Sequence, residues 1–216
     1  MEKLNKNAWN KIFKEKGKFF TTPQEDMPKV VNFFKKHKVK RVLDLGCGSG
    51  RHLIYLLKNG FEAYGIDIAY YGIKIAREWL KKEKLKANLH IGDIYKKLPY
   101  PTDFFDAIIS IRTLNHGKIS WIKKCVKEME RILKPKGFIF ITVHKHLPKK
   151  YIPKEKLYGI KWIGPRTYVI LGGPEKNMPH YRFNKKILLK VFKNFDVLDF
   201  WVDSESYYCL LGQKKY

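Results

Sequence analysis

The chain has 216 residues, with 45 Lys and Arg against 20 Asp and Glu and a formal net charge of +25 at pH 7. That length accommodates one α/β domain with an elaboration. No apolar run approaches the roughly 18 residues of a membrane span, and the start, Met1-Glu2-Lys3-Leu4-Asn5-Lys6, lacks a signal-peptide core, so a cytoplasmic protein without a membrane partner is expected. Cys47, Cys125 and Cys209 are odd in number and scattered without metal-ligand spacing, which predicts neither a disulfide framework nor a metal site.

In chain order, the basic first 25 residues carry Trp9, Phe13, Phe19 and Phe20 at intervals that suit a helix and a following loop. Pro28 fits the first turn of a helix with Val30, Val31, Phe33 and Phe34, which ends in Lys35-Lys36-His37-Lys38 at the negative end of its dipole. Arg41 to Leu45 reads as a short buried strand. Gly46, Gly48 and Gly50 then break it into a tight turn that Leu53 to Leu57 continue as a helix. Such a turn brings bare N–H groups, at the positive end of a helix, close against a ligand. The Gly-x-Gly-x-Gly spacing departs from that of dinucleotide folds, and Asp44 stands two residues before the first glycine. A carboxylate there repels a pyrophosphate and attracts an ammonium or a sulfonium.

Phe61 to Ile66 forms a second strand ending at Asp67, 23 residues beyond Asp44. This is close to the roughly 20-residue interval at which a strand-end acid reaches a ribose diol; capping a helix over Tyr70 to Lys81 is the alternative use of the same side chain. Ala87 to Ile91 is a third strand, followed by Gly92-Asp93-Ile94. Phe105 to Ile111 is a fourth, with Arg112-Thr113-Leu114-Asn115-His116-Gly117 at its carboxyl end, the edge where open α/β sheets bind ligands. Ile119, Ile122, Val126, Met129 and Leu133 mark a helix on the sheet with Lys123, Lys124 and Lys127 outward, and Phe138 to Val143 is strand five. Lys145 to Phe183 is rich in Pro, Gly, Lys and aromatics, with hairpin strands at Leu157 to Ile163 and Arg166 to Leu171, and ends in His180-Tyr181-Arg182. Asn184 caps a helix over Lys185 to Phe192, and Phe195 to Val202 pairs with Tyr207 to Leu211 as the last strands.

Val42-Leu43-Asp44-Leu45-Gly46-Cys47-Gly48-Ser49-Gly50, then Gly65-Ile66-Asp67, Gly92-Asp93, Phe105 to Ser110 and Glu130 to Gly137 before strand five, stand in register and in order. Over about Val42 to His144 the chain resembles the class I S-adenosylmethionine-dependent methyltransferase family. The resemblance implies a Rossmann-like α/β fold, with a seven-stranded, mainly parallel sheet, a reversed last strand and helices on both faces. It implies S-adenosylmethionine as cofactor, with Asp44, Gly46, Cys47 and Gly48 at its amino-acid end and Asp67 at the ribose. Asp93 and Ile94 fall at the adenine, and Ile68 and Ser110 join the donor contacts. The expected division is a lid at 1–40, a donor-binding core at 41–144, a cap over the acceptor pocket at 145–183, and a final helix and hairpin at 184–216.

His116 and His180 are the candidate catalytic bases, since a neutral imidazole takes a proton from an attacking N, O or S near pH 7. Arg112, Tyr181 and Arg182 are the candidate substrate contacts. Residues 145–193 carry a net +11, so the expected acceptor is a small anionic molecule, with RNA as the alternative. A lysine-heavy composition accounts for the same charge, because 38 of the 45 basic residues are Lys. The family's nucleic-acid signature Asn-Pro-Pro-Tyr/Phe is absent after strand four, where Arg112-Thr113-Leu114-Asn115 stands. A partner subunit that binds the donor without catalysis is the reading of a different class.

Overall fold

The computed structural model of the chain describes residues 2–18, 20–145 and 158–216. Phe19, the start of the expected hairpin at Leu157 and the first part of the expected cap, 146–157, lie outside the described residues. Helices α1 (Glu2–Lys16) and α2 (Met27–Lys36) precede β1 (Arg41–Leu45), α3 (Arg51–Lys58), β2 (Glu62–Asp67), α4 (Tyr70–Lys82) and β3 (Asn88–Ile91). Then come β4 (Phe105–Ile111), α5 (Ile119–Ile132) and β5 (Leu133–His144). The cap strands are β6 (Ile160–Trp162), β7 (Thr167–Ile170) and β8 (Pro179–Tyr181), and α6 (Lys185–Val191), β9 (Phe195–Val202) and β10 (Tyr207–Lys214) close the chain.

The sheet order is β3-β2-β1-β4-β5-β10-β9; β1 to β5 pair in parallel, and β10 runs antiparallel to both neighbours. The expected seven-stranded architecture with a reversed last strand is the observed one. Strand alternation explains its two cores. Val42, Ala107, Ile109 and Phe140 point to one face, against Met27, Val30, Phe34 and Leu56 of α2 and α3. Leu43, Leu45, Ile108 and Ile141 point to the other, against Ile122, Val126 and Met129 of α5 and Leu188 of α6. Full burial of each such side chain contributes about 1.5–3 kcal/mol, which is why helices cover both faces of a mostly parallel sheet.

Two strands are longer than their sequence patterns indicate. β5 begins at Leu133, directly after α5, because Leu133 pairs with Phe105 across an irregularity that lies ahead of the regular Ala107–Phe138 register. β10 runs on to Lys214 because Gln213 still pairs with both Phe138 and Asp196. The cap holds three strands in the order β6-β7-β8, where a two-stranded hairpin was expected. Pro179 lies in β8, which pairs with β7 alone, so its missing N–H costs no second ladder.

Candidate active site

One cavity of about 730 Å³ opens at the carboxyl ends of β1, β2, β4 and β5 and is roofed by α1 and the cap. Its floor is the glycine turn. Gly46 and Cys47 donate their N–H groups to the carbonyl of Ile66 at 2.8 and 3.1 Å, fixing the turn against β2. Gly46 has φ +86, and any side chain there would collide with Thr113 of the loop after β4. Gly48 has φ +52, and the ring of Phe13 from α1 sits over it. Both glycines therefore answer a backbone conformation and a close approach together.

Asp67 is clamped by that turn: one carboxylate oxygen accepts from the Gly48 N–H at 2.9 Å and the other from the Ala69 N–H at 2.8 Å. Burial pushes its carboxyl above the usual range, while the Ala69, Gly48 and Ile68 N–H groups pull it back. The N-cap position of α4 is Ala69, not Asp67, so the acid is left to face the cavity with Ile68. Asp93 accepts from the Tyr95 N–H at 2.9 Å and lines the same wall with Ile94.

Asp44 lies behind the turn, 1 % exposed, and does not itself form the cavity wall. Burial raises its carboxyl to about 8; the Arg51 charge opposes that and the Asp67 charge adds to it. Its Oδ2 has no hydrogen-bond partner, and Nδ1 of the buried His52 is 3.9 Å away. His52 accepts the Gln24 N–H on Nε2 at 3.2 Å, which places its proton on Nδ1, facing Asp44. Burial, with the Arg51 and Arg112 charges, holds the imidazole well below its ordinary value and therefore neutral.

Beyond the turn, a second cluster fills the roofed end. The rings of Trp9 and His116 meet edge-on at 5.2 Å, His116 and His180 at 5.0 Å, and His180 stacks on Tyr168 at 5.1 Å. Nε2 of His180 is 3.4 Å from a carboxylate oxygen of Glu175, and the Arg182 guanidinium lies over the Tyr168 ring at 4.9 Å. Asn5 of α1 donates to the carbonyl of His116 at 2.8 Å, tying the roof to the loop after β4. Among the described residues, no group of His, Cys, Asp and Glu is arranged to hold a metal ion.

Two sequence expectations are corrected here, and a third residue stands where expected but is already paired. Tyr181 does not reach the cavity: on β8 it alternates with His180 and Arg182, which do, and so packs into the core against Phe183 at 4.9 Å. Ser110 is fully buried and donates to the carbonyl of Leu45 at 3.0 Å, joining β4 to β1 away from the cavity. Arg112 lines the cavity but is already held by Glu205 through two 2.7 Å contacts, with Asp203 at 3.5 Å and the Tyr207 ring beneath it at 4.3 Å. Lys124 is exposed as its helical spacing predicts and also stands at the cavity rim; Arg51, His52, Tyr168 and Glu175 line the cavity with no signal in the sequence pattern.

A model of a methyltransferase domain matches residues 42–137. A tRNA (carboxymethyluridine(34)-5-O)-methyltransferase of Arabidopsis thaliana is 33% identical over 174 residues, covering 77% of this chain and 39% of that protein. EEF1A lysine methyltransferase 2 of Mus musculus is 33% identical over 133 residues, 55% of this chain and 53% of the mouse protein. The chain thus spans about half or less of these relatives. In fold it is similar to the PH0226 protein of Pyrococcus horikoshii OT3, with a TM-score of 0.70 at 24% identity over 90% of this chain and 95% of that one. Residues 42–137 thus match a methyltransferase domain, and the chain shares its fold with solved S-adenosylmethionine-dependent methyltransferases.

S-adenosylmethionine is the methyl donor of such enzymes, and the wall described above suits it. Glycines 46 and 48 keep the turn bare of side chains where Thr113 and Phe13 close on it, the carboxylate of Asp67 is held rigid at the cavity wall, and Oδ2 of Asp44 lies behind the turn without a hydrogen-bond partner. The acids of the cavity stand at the ends of the parallel strands, while the histidine cluster is drawn from the loop after β4 and the cap, with Trp9 of α1 against it.

Proposed function

We propose that the chain transfers a methyl group from S-adenosylmethionine to a small acceptor bound among His116, His180, Tyr168 and Trp9. The observation that carries this reading is the continuity of one cavity from Asp67 and Asp93 to His180 and Glu175. Gly46, Cys47 and Gly48, with Asp44 behind them, hold the amino-acid end of the donor, Asp67 and Ile68 the ribose, and Asp93 and Ile94 the adenine. The donor supplies an electrophilic methyl on a sulfonium.

The chain must align the acceptor atom, exclude water and take away a proton. Roofing by α1 and the cap excludes water. Glu175 faces Nε2 of His180, orienting the imidazole so that Nδ1 takes the acceptor's proton, and the resulting cation is stabilised by that carboxylate. His116, in edge contact with the His180 ring, shapes the acceptor site. Arg182 and Lys145 add positive charge at its border, which favours an acceptor that carries an anionic group.

A second reading, transfer to RNA, is favoured by the likeness to the Arabidopsis tRNA-modifying enzyme over 77% of the chain and by the net charge of +25. Incubation of labelled S-adenosylmethionine with cell extract, with and without nuclease, tests both. Label in a nuclease-resistant small molecule supports the first reading, and label lost with nuclease overturns it in favour of RNA. No labelled product leaves the chain as a donor-binding subunit.

A further inference from the structure

The ladder between β7 and β8 pairs Thr167 with Tyr181 and Tyr168 with His180. Opposed residues of an antiparallel pair share a face, and the faces alternate along each strand. Tyr168 and His180 stack on the cavity side, while Tyr181 turns to the core. One step further along, the Arg182 N–H donates to the Arg166 carbonyl at 3.0 Å. The ladder therefore sets Arg166 opposite Arg182, on the face that carries Tyr168 and His180.

Like charges at directly opposed positions of a sheet destabilise it, so this pairing calls for a counter-charge. Arg182 is 5 % exposed, lines the cavity and holds its guanidinium over the Tyr168 ring at 4.9 Å. Arg166 is half-buried, and its Nη1 is buried without a hydrogen-bond partner among the described residues. The Arg166 charge is felt at the hydroxyl of Tyr181, the neighbouring position on β8, which keeps the guanidinium close to that strand. Lys145 adds a further cation: it lines the cavity and bridges to Phe183, the residue after Arg182. Glu175 of the same wall is turned to Nε2 of His180, at 3.4 Å. Among the described residues this end of the cavity is thus positive, with one buried guanidinium N–H unmet.

We propose that Arg166 and Arg182 together receive a terminal phosphate carried by the methyl acceptor. This rests on the acceptor lying against the cap, as proposed above. A phosphate monoester carries a charge of about −1.5 to −2 at pH 7 and three acceptor oxygens, so it engages two guanidinium groups at once and relieves their repulsion. A carboxylate, with one charge and two oxygens, satisfies one fork and leaves the other. Arg182 follows His180 by two positions on one strand face, a separation of about 6.6 Å, so a phosphate held there sets the body of a small acceptor beside the imidazole. The diester of an RNA backbone is the other source of phosphoryl oxygens, and the test separates the two.

Methyl phosphate, dimethyl phosphate and acetate present a monoester, a diester and a carboxylate on the smallest bodies available. Their binding to the full chain, with and without S-adenosylhomocysteine, is read from saturation transfer to their methyl protons. Wild type should bind methyl phosphate about tenfold or more tightly than the other two. Arg166→Gln and Arg182→Gln should each weaken it by about 10- to 100-fold, the range for hydrogen bonds to a charged group, and Arg166→Lys should keep part of the affinity. Lys161→Gln, which removes an exposed charge from β6, should change nothing. Circular dichroism checks that each variant is folded, and if Arg182→Gln is not, the two Arg166 variants decide. Methyl phosphate binding that survives Arg166→Gln, or that falls equally in Lys161→Gln, overturns the site. Acetate bound as tightly overturns it in favour of a carboxylate, and dimethyl phosphate bound as tightly in favour of an RNA backbone. Arginine-dependent phosphate binding by a chain that takes up no S-adenosylhomocysteine leaves the site standing and removes the methyl-transfer reading; uptake of S-adenosylhomocysteine without phosphate binding does the reverse.

Discussion

The edge of the Phe13 ring lies 3.0 Å from where a side chain on Gly48 would begin. The same ring is 3.1 Å from the corresponding position on Gly72 of α4, so α1 is docked by one aromatic residue into a notch made by two glycines. Asn10 supports it by accepting the Tyr71 N–H at 3.1 Å. Asn5 and Trp9 tie the same helix to His116, so α1 closes the cavity from Gly48 to the loop after β4.

Phe13→Ala should loosen that roof. Loss of a buried ring weakens the docking of α1 by on the order of 2 kcal/mol. The expected result is faster release of S-adenosylhomocysteine in stopped-flow displacement and earlier proteolytic cleavage near residue 17. Gly48→Ala should do the same from the other side, with added backbone strain at φ +52.

Asp67→Ala removes the carboxylate that the Gly48 and Ala69 N–H groups hold. Affinity for S-adenosylhomocysteine should fall by about 10- to 100-fold, the scale of a charge-assisted hydrogen bond. Calorimetry at one pH suffices, and an unchanged dissociation constant would remove Asp67 from the ribose role.

Asp44 makes stability depend on pH in an unusual sense. Its folded-state value is raised from 3.8 to about 8, so the native chain holds a proton that the unfolded chain gives up between those values. Stability contributed by the neutral form is present below pH 4 and declines as pH rises toward 8, by at most about 1.4 kcal/mol per pH unit. Urea melts of wild type and Asp44→Asn at pH 5, 6 and 7 should diverge, with the variant gaining on wild type as pH rises. Parallel curves would show that Asp44 is ionised throughout.

His180→Ala should lower kcat/KM about 10²- to 10⁴-fold once an acceptor is in hand, while donor affinity stays as in wild type. Glu175→Gln acts through His180, and its loss should fall on kcat rather than KM. His116→Ala should instead change KM, since it shapes the site beside the base. A His180→Ala enzyme at wild-type rate would eliminate the base.

The donor half of the site was legible in sequence because its parts are local. A strand, a turn with glycines at alternate positions and an acid at the next strand's end each sit within ten residues, and parallel pairing of β1 with β2 brings Gly48 and Asp67 together without further information. Asp93 follows by the same rule one strand further out. The acceptor half was not local in this way. His116 and His180 were each visible as candidates, but nothing in the spacing of 64 residues says that their rings meet at 5.0 Å or that Glu175 joins them.

Sequence alone thus determined the strands, the glycine turn and the acids at the strand ends, because hydrophobic period and turn chemistry act over a few residues, while the parallel order of the strands was what the resemblance implied. Tertiary structure alone decided which face each cap residue shows and which charges are already matched. It turned Tyr181 inward and His180 toward the cavity, matched Arg112 with Glu205 and left Arg51 without an acid. The physical reason is that an ion pair or a ring contact is set by how distant segments pack, and a side chain's chemistry is settled by what packing leaves beside it.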